Sequence, residues 1–357
     1  MGAKVAWEEV CKPKTEGGLG LRRLRDVSRV FAYRLIWRLF TMSGSLWVAW
    51  SKQNLMKKGT FGSAPTTNLG SWVWRKLLNL RDEISPFIHV EVGCGEKVSF
   101  WYDRWLPIGR ILDITGQAGP RILGIPIHAT VKEAAGPNGW KLRRTRLVHL
   151  YPLLDQIRAT PLPHDWRGDD KFLWRTGFDS LNKNFSTHHT WEQIRQRHPL
   201  VPWRSLVWFH QGIPRCCFIV WLAMLNRLST GARMRLWRHT QACVLCGEVN
   251  ETRDHLFFVV WSSIAGKLLR RNLDPDWETT VTAIQSITGD RLRDILIRLC
   301  FQVTIYSIWR ERNARVHATG SLTTAQLTRS IEKLIRNRNT SLGYYSTKPH
   351  LRLLLQR

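Results

Sequence analysis

Apolar residues recur at helical spacing in several separated stretches of the chain. From Leu24 to Phe40 the positions Phe31, Leu35, Ile36, Leu39 and Phe40 repeat in this way, while Arg22, Arg23, Arg25, Arg29, Arg34 and Arg38 line the remaining surface. The pattern predicts an amphipathic helix with one packing face and one cationic face. Ser45 to Leu55 and Ser71 to Leu80 read as further Trp-containing helical segments, separated by a Gly/Ser/Thr/Pro-rich loop over Lys57 to Leu69. Leu147 to Ile157 is a helix by the same criterion. Pro214 opens a central helix with the stripe Phe218, Trp221, Leu222 and Leu225, and Asn226 to Gly231 ends it. Leu292 to Val316 and Thr323 to Asn337 complete the set, the second with Leu327, Ile331, Leu334 and Ile335 inward and its basic residues outward. The last ten residues are expected to fray.

Elsewhere the period changes to two. Ile88, Val90 and Val92 alternate with His89 and Glu91, and Gly93-Cys94-Gly95 then turns the chain toward Lys97 to Trp101, which predicts a β-hairpin. Phe172 to Trp174 and Phe185 to Thr187 read as short strands, and Thr190 with Gln193 resembles a capping box opening a helix through Arg197. The fold class expected is α+β, predominantly α-helical, with short β-hairpins and a small Cys/His loop. Between Gly109 and Gly139 little helical period survives, so residues 109–139 read as a connector. The chain is thereby divided into 1–108, 109–139, 140–265 and a basic helical tail over 266–357.

Charge changes the picture from a helical protein to one with an anionic counterpart. Lys and Arg number 54 against 27 for Asp and Glu, a formal net charge of +27 over 357 residues, and a polyanion relieves self-repulsion of that size most simply. Nucleic acid is the first candidate and an anionic membrane surface the second. Exposed arginines without acidic i,i+4 partners suit phosphate, although a solvated face explains them equally. No apolar run approaches the roughly 18 residues of a membrane helix, so the chain is not expected to be integral to a membrane. Seven irregularly spaced cysteines and an N-terminus without an apolar core point to a reducing, intracellular compartment, nucleus or cytoplasm.

The acidic residues supply little chemistry. Asp103 beside Trp101 and Trp105 reads as a buried hydrogen-bonding residue sooner than a catalytic one, and Asp169-Asp170, flanked by Arg167 and Lys171, as a solvated turn. The chemistry-bearing cluster is Cys243, Cys246 and His255. Two cysteines with two residues between them, then a histidine after eight more, give three donors that a tight turn can aim at one Zn2+.

These stretches together carry a likeness. The run from Trp203 to Phe209 (W-x-x-x-V-W-F), Ile213-Pro214, Phe218 to Ala223, Asn226 to Thr230, Cys243 to Cys246 (C-V-L-C) and Arg253 to Phe258 (R-D-H-L-F-F) resembles the zinc-binding domain of plant LINE-type non-LTR retrotransposon reverse transcriptases. The upstream stretches AWEEVCKPKTEGGLGLRRL, GSWVWRKLL and VGCGEKVSFWYDRW are similar to the segment that follows the polymerase core in those polyproteins. Downstream, FQVTIYSIWRERNARVH is similar to their tail. The resemblance implies that Cys243, Cys246 and His255 are zinc ligands and that a further cysteine-type ligand follows His-Leu-Phe-Phe. Val260 stands at that place and cannot bind metal, so a four-coordinate zinc would need His239, Asp254 or a water to finish its shell.

No Tyr-x-Asp-Asp hairpin, spaced RNase H carboxylate set or apurinic-type endonuclease constellation is found, so the chain is expected to be a non-catalytic C-terminal piece of such a polyprotein. RNA or DNA is its expected partner, with the polymerase portion of a related element as another, and Arg34, Arg38, Arg310, Arg312, Arg315 and Arg336 are the expected phosphate contacts. The alternative is a decayed or domesticated remnant acting only as a protein-interaction scaffold.

Overall fold

The computed structural model describes residues 5–41, 44–56, 59–66, 70–257, 276–286 and 291–341. Val260, parts of the Lys57 to Leu69 loop and the last ten residues lie outside them. The fold is α+β and predominantly helical, with few and short strands. Its compact units are Arg23–Arg197, and Met1–Arg22 together with His198–Arg357. These bounds differ from the four segments read from the sequence, because the pairings that hold each unit cross those segments.

In the unit Arg23–Arg197, helix α1 (Leu24–Phe40) buries Val30, Tyr33, Ile36, Trp37 and Leu39 and leaves Phe31 exposed. Its inner face is set by the large rings of Tyr33 and Trp37, which pack with Phe87 and Phe185 around the fully buried Trp174. Helix α2 (Trp72–Asn79) starts at Ser71, whose hydroxyl accepts from the Trp74 N–H. The hairpin expected after Ile88 does not form. Strand β1 (Ile88–Glu91) pairs antiparallel instead with β2 (Lys171–Arg175), Ile88 opposite Trp174, and β2 pairs with β3 (Leu181–Asn182).

The cause is Asp170, which is buried, unlike the solvated residue expected there; only Asp169 faces water. The Asp170 carboxylate accepts from the backbone N–H groups of Gly93 at 2.8 Å, Gly95 at 2.8 Å and Lys97 at 3.0 Å. Those donors curl the loop around one side chain and leave no ladder for a hairpin. Gly95 stands at φ +73°, where a Cβ would also come within 2.9 Å of the Lys132 backbone nitrogen.

Residues 109–139, expected as a connector, are part of a core. Ile111, Leu123, Ile125 and Val131 are buried with Val98, Phe100, Trp101 and Ile157, the last on helix α3 (Tyr151–Ala159). The short elements here lack helical period because each contributes only one or two core residues. The helix expected to open at Thr190 begins earlier: α4 (Thr187–Ile194) is capped by Ser186, and Thr190 lies inside it, accepting from Trp174 Nε1 at 2.9 Å. Residues 185–187 are therefore a helix entry and not a strand.

The other unit is built on α5 (Pro214–Met224), α6 (Trp277–Gln285), α7 (Arg291–Val316) and α8 (Thr324–Ser341). Trp221, Phe257, Trp277 and Phe301 fill its core with aliphatic residues of α5, α7 and α8. Gln302, fully buried on α7, donates to the Leu206 and Val207 carbonyls at 2.9 Å each. The Gly-rich turn near the N-terminus belongs here too, since Trp221 Nε1 donates to the Gly17 carbonyl at 2.7 Å. No described helix is long and apolar enough to cross a membrane.

Candidate metal centre

After α5 the chain makes two short helical turns, Gly231–Met234 and Arg235–Trp237, then the Cys/His loop. Cys243 and Cys246 bracket a tight turn in which the Gly247 N–H bonds the Cys243 carbonyl at 2.7 Å and the Cys243 N–H bonds the Glu248 carbonyl at 2.8 Å. Gly247, at φ +82°, supplies the left-handed residue that closes it. Residues 253–257 are helical, and the Thr252 hydroxyl accepts from the His255 N–H at 3.1 Å, which orients His255 toward the turn.

The sequence-predicted ligands thus converge. The donor atoms of Cys243, Cys246 and His255 all lie within 4.8 Å of one another, and Cys246 Sγ is 3.1 Å from His255 Nε2. Zinc bonds sulfur at about 2.3 Å and nitrogen at about 2.0–2.1 Å, so donors sharing one ion sit at comparable separations. Burial pushes the Cys243 thiol up, while the Leu245 and Cys246 backbone N–H groups act on it in the opposite direction, as they would on a thiolate. The set fits zinc. Neither His239 nor Asp254 joins it among the described residues, and Asp254 instead pairs with Arg253 at 2.9 Å.

Cysteines elsewhere differ in kind: Cys216 and Cys300 are core thiols whose burial pushes both up to about 12. Asp103 likewise is structural. Its buried carboxylate accepts from the Ser99 N–H at 2.7 Å, and burial raises it to about 7.

What ties the loop to the core is a residue that sequence reasoning missed. Glu251 is 0% exposed and receives both guanidinium arms of Arg312, each at 2.9 Å, together with the Gly231 N–H at 2.9 Å. A Cβ on Gly231 would come within 2.2 Å of the Gln241 carbonyl oxygen, so only glycine allows this approach. The Arg312–Glu251 pair joins α7 to the loop across a long stretch of sequence, and no local pattern announces it.

The six expected phosphate contacts divide accordingly. Arg34 and Arg38 are exposed on α1, Arg310 on α7 and Arg336 on α8. Arg312, 4% exposed and bidentate to Glu251, has no face left for a phosphate, which corrects that expectation. Arg315 is half-buried, pairing with Glu311 at 2.8 Å and donating to the Leu322 carbonyl at 2.8 Å.

A small Cys/His turn bound to a helical core by a buried ion pair is compatible with a knuckle-type zinc site. Residues 185–262 match the family described as zinc-binding in reverse transcriptase, so the chain carries a reverse-transcriptase-type zinc-binding domain in the place the residue likeness indicated. The chain is also 33% identical over 254 residues to the Arabidopsis thaliana protein named "Putative ribonuclease H protein At1g65750", an alignment that takes in 68% of this chain. It spans about 39% of the length of that relative. No solved structure matches.

Proposed function

We propose that the chain is a non-catalytic, nucleic-acid-binding portion of a LINE-type retroelement polyprotein, with Cys243, Cys246 and His255 holding a structural zinc ion. The convergence of these three donors inside the matched domain carries the reading. Bound there, zinc would supply a cross-link between the turn at 243–247 and the helical segment at 253–257, and no chemistry on a substrate. The residues themselves do the rest. Thr252 and the Cys243 turn pre-orient the donors, and Glu251 anchors the loop to α7. With Val260 at the family's further ligand position, binding is weaker than for a complete four-ligand knuckle.

Nucleic acid as partner is supported by the charge of +27 and by the exposed arginines Arg34, Arg38, Arg310 and Arg336. The non-catalytic reading rests on the chemistry of the donors: two thiols and an imidazole suit a structural zinc, whereas two-metal phosphoryl chemistry requires gathered carboxylates. The name of the Arabidopsis relative sets the contrary reading, ribonuclease H activity. A reducing compartment, nucleus or cytoplasm, and association with the polymerase portion of a related element belong to the same proposal.

The test is binding of the purified chain to labelled RNA and DNA across a salt series, with nuclease assayed in magnesium. The expected result is affinity that falls steeply with salt and no cleavage. Absence of binding at low salt overturns the nucleic-acid reading, and magnesium-dependent cleavage of an RNA–DNA hybrid overturns the non-catalytic one.

A further inference from the structure

No acidic residue occurs between Glu192 and Glu248. The later part of this run, from Gly231 to Trp237, folds as the two short helical turns after α5, and it is mounted on the knuckle. The Gly231 N–H reaches the Glu251 carboxylate at 2.9 Å, the Ala232 N–H reaches the Glu251 carbonyl at 3.0 Å, and the Arg235 guanidinium donates to the Val249 carbonyl at 2.7 Å and to Asn250 Oδ1 at 2.8 Å. The inner side of the segment is therefore fixed by the domain core.

Its outer side is apolar and cationic together. Leu236, Trp237 and Val249 are exposed, Trp237 to 61%. The Arg233 guanidinium lies 5.9 Å from the Trp237 ring centroid, and its side chain is held by a bond to the Asn226 carbonyl at 2.7 Å. Burial, joined by the charge of Arg227, draws Arg233 below its ordinary range. Arg227 and Arg238 are exposed, and among the described residues neither they nor Arg233 has a carboxylate partner. With Arg233 over its ring the Trp237 indole is still largely exposed, beside guanidiniums that lack a carboxylate partner among the described residues. It matches a polyanion whose aromatic faces are free, which is an unpaired strand and not a duplex.

We infer that the Gly231–His239 segment is the surface on which an unpaired nucleic-acid strand lies, one base stacking on Trp237 and neighbouring phosphates meeting Arg227, Arg233 and Arg238. This rests on the nucleic-acid reading above and adds to it the strand state and the residues. The knuckle's task is then to present this segment: Glu251 holds its backbone and Arg235 staples it to the loop. Leu236 and Val249 give the sugar and base edges an apolar floor.

The test is fluorescence anisotropy of the whole chain with labelled oligo(dT), and with a labelled duplex of equal length. Trp237→Ala should weaken oligo(dT) binding about tenfold or more, since loss of one stacking platform costs that order, and should change duplex binding little. Trp237→Phe, which keeps a ring, should retain most of the affinity, and Trp166→Ala, an exposed indole of the other unit, should behave as the parent chain. The combined Arg233→Ala and Arg238→Ala variant should show a shallower salt dependence. Zinc content of Trp237→Ala should equal that of the parent, confirming an intact knuckle. Parent-like oligo(dT) binding by Trp237→Ala, or an equal loss on duplex, overturns this inference and leaves the broader reading standing. Failure of the parent chain to bind either probe overturns both.

Discussion

At the scale of single residues the chain separates charges that look alike. Arg310 and Arg312 sit on one helix, yet Arg312 is buried against Glu251 while Arg310 faces water. Removing one member of a buried pair strands the other, at a cost of about 3–5 kcal/mol. Arg312→Ala is therefore expected to lower urea stability by that order with no change in the salt dependence of nucleic-acid binding per folded molecule. Arg310→Ala should leave stability within about 0.5 kcal/mol. Asp103 gives a pH signature. Its carboxyl is raised to about 7 in the folded protein from an ordinary 3.8. Between those values the unfolded chain has released a proton that the folded chain keeps, so this residue's contribution to stability declines as pH rises through the window. Asp103→Asn should flatten the decline, which chemical unfolding at pH 4 and pH 7 would register. The sequence marks Asp103 as buried and hydrogen-bonded from its tryptophan neighbours, as the structure has it, but not Arg312, because that arginine's partner lies far away in sequence.

At the scale of elements the helices were the legible part. Leu24–Phe40 was foreseen to the residue, and the long helix ending at Val316 to within one, since each repeats its apolar face over several turns. The strands were not. Ile88–Glu91 alternates as a strand should, but its partner is Lys171–Arg175, and the choice is made by Asp170 clasping Gly93, Gly95 and Lys97. A charged acceptor with several amide donors is worth about 1.5–3 kcal/mol per bond. Asp170→Ala is thus expected to lower stability by about 3 kcal/mol or more in a denaturant titration. Its neighbour Asp169, exposed and paired among the described residues with Lys97 at 3.3 Å, should tolerate the same change within about 0.5 kcal/mol. Equal effects of the two substitutions would contradict the clasp.

At the scale of the whole molecule the sequence showed the Cys/His cluster and concealed its support. Cys243, Cys246 and His255 could be named as candidate ligands from spacing, because a metal turn keeps its donors close in sequence, and the structure brings their donor atoms together. Glu251, Gly231 and the tryptophan-bearing segment between them serve the same site through the tertiary fold, and only the structure brings them together. Replacing Gly231 by Ala, with a Cβ only 2.2 Å from the Gln241 carbonyl oxygen, should destabilise the domain by about 1–3 kcal/mol and weaken zinc binding with it. The central claim, that Cys243, Cys246 and His255 form a zinc site short of one family ligand, is tested most directly by zinc affinity in competition with a chromogenic chelator. The parent chain, Cys243→Ser and Val260→Cys would be compared. The account predicts one zinc per parent chain, none in Cys243→Ser, and tighter binding in Val260→Cys. No zinc in the parent chain, or undiminished zinc in Cys243→Ser, would contradict it.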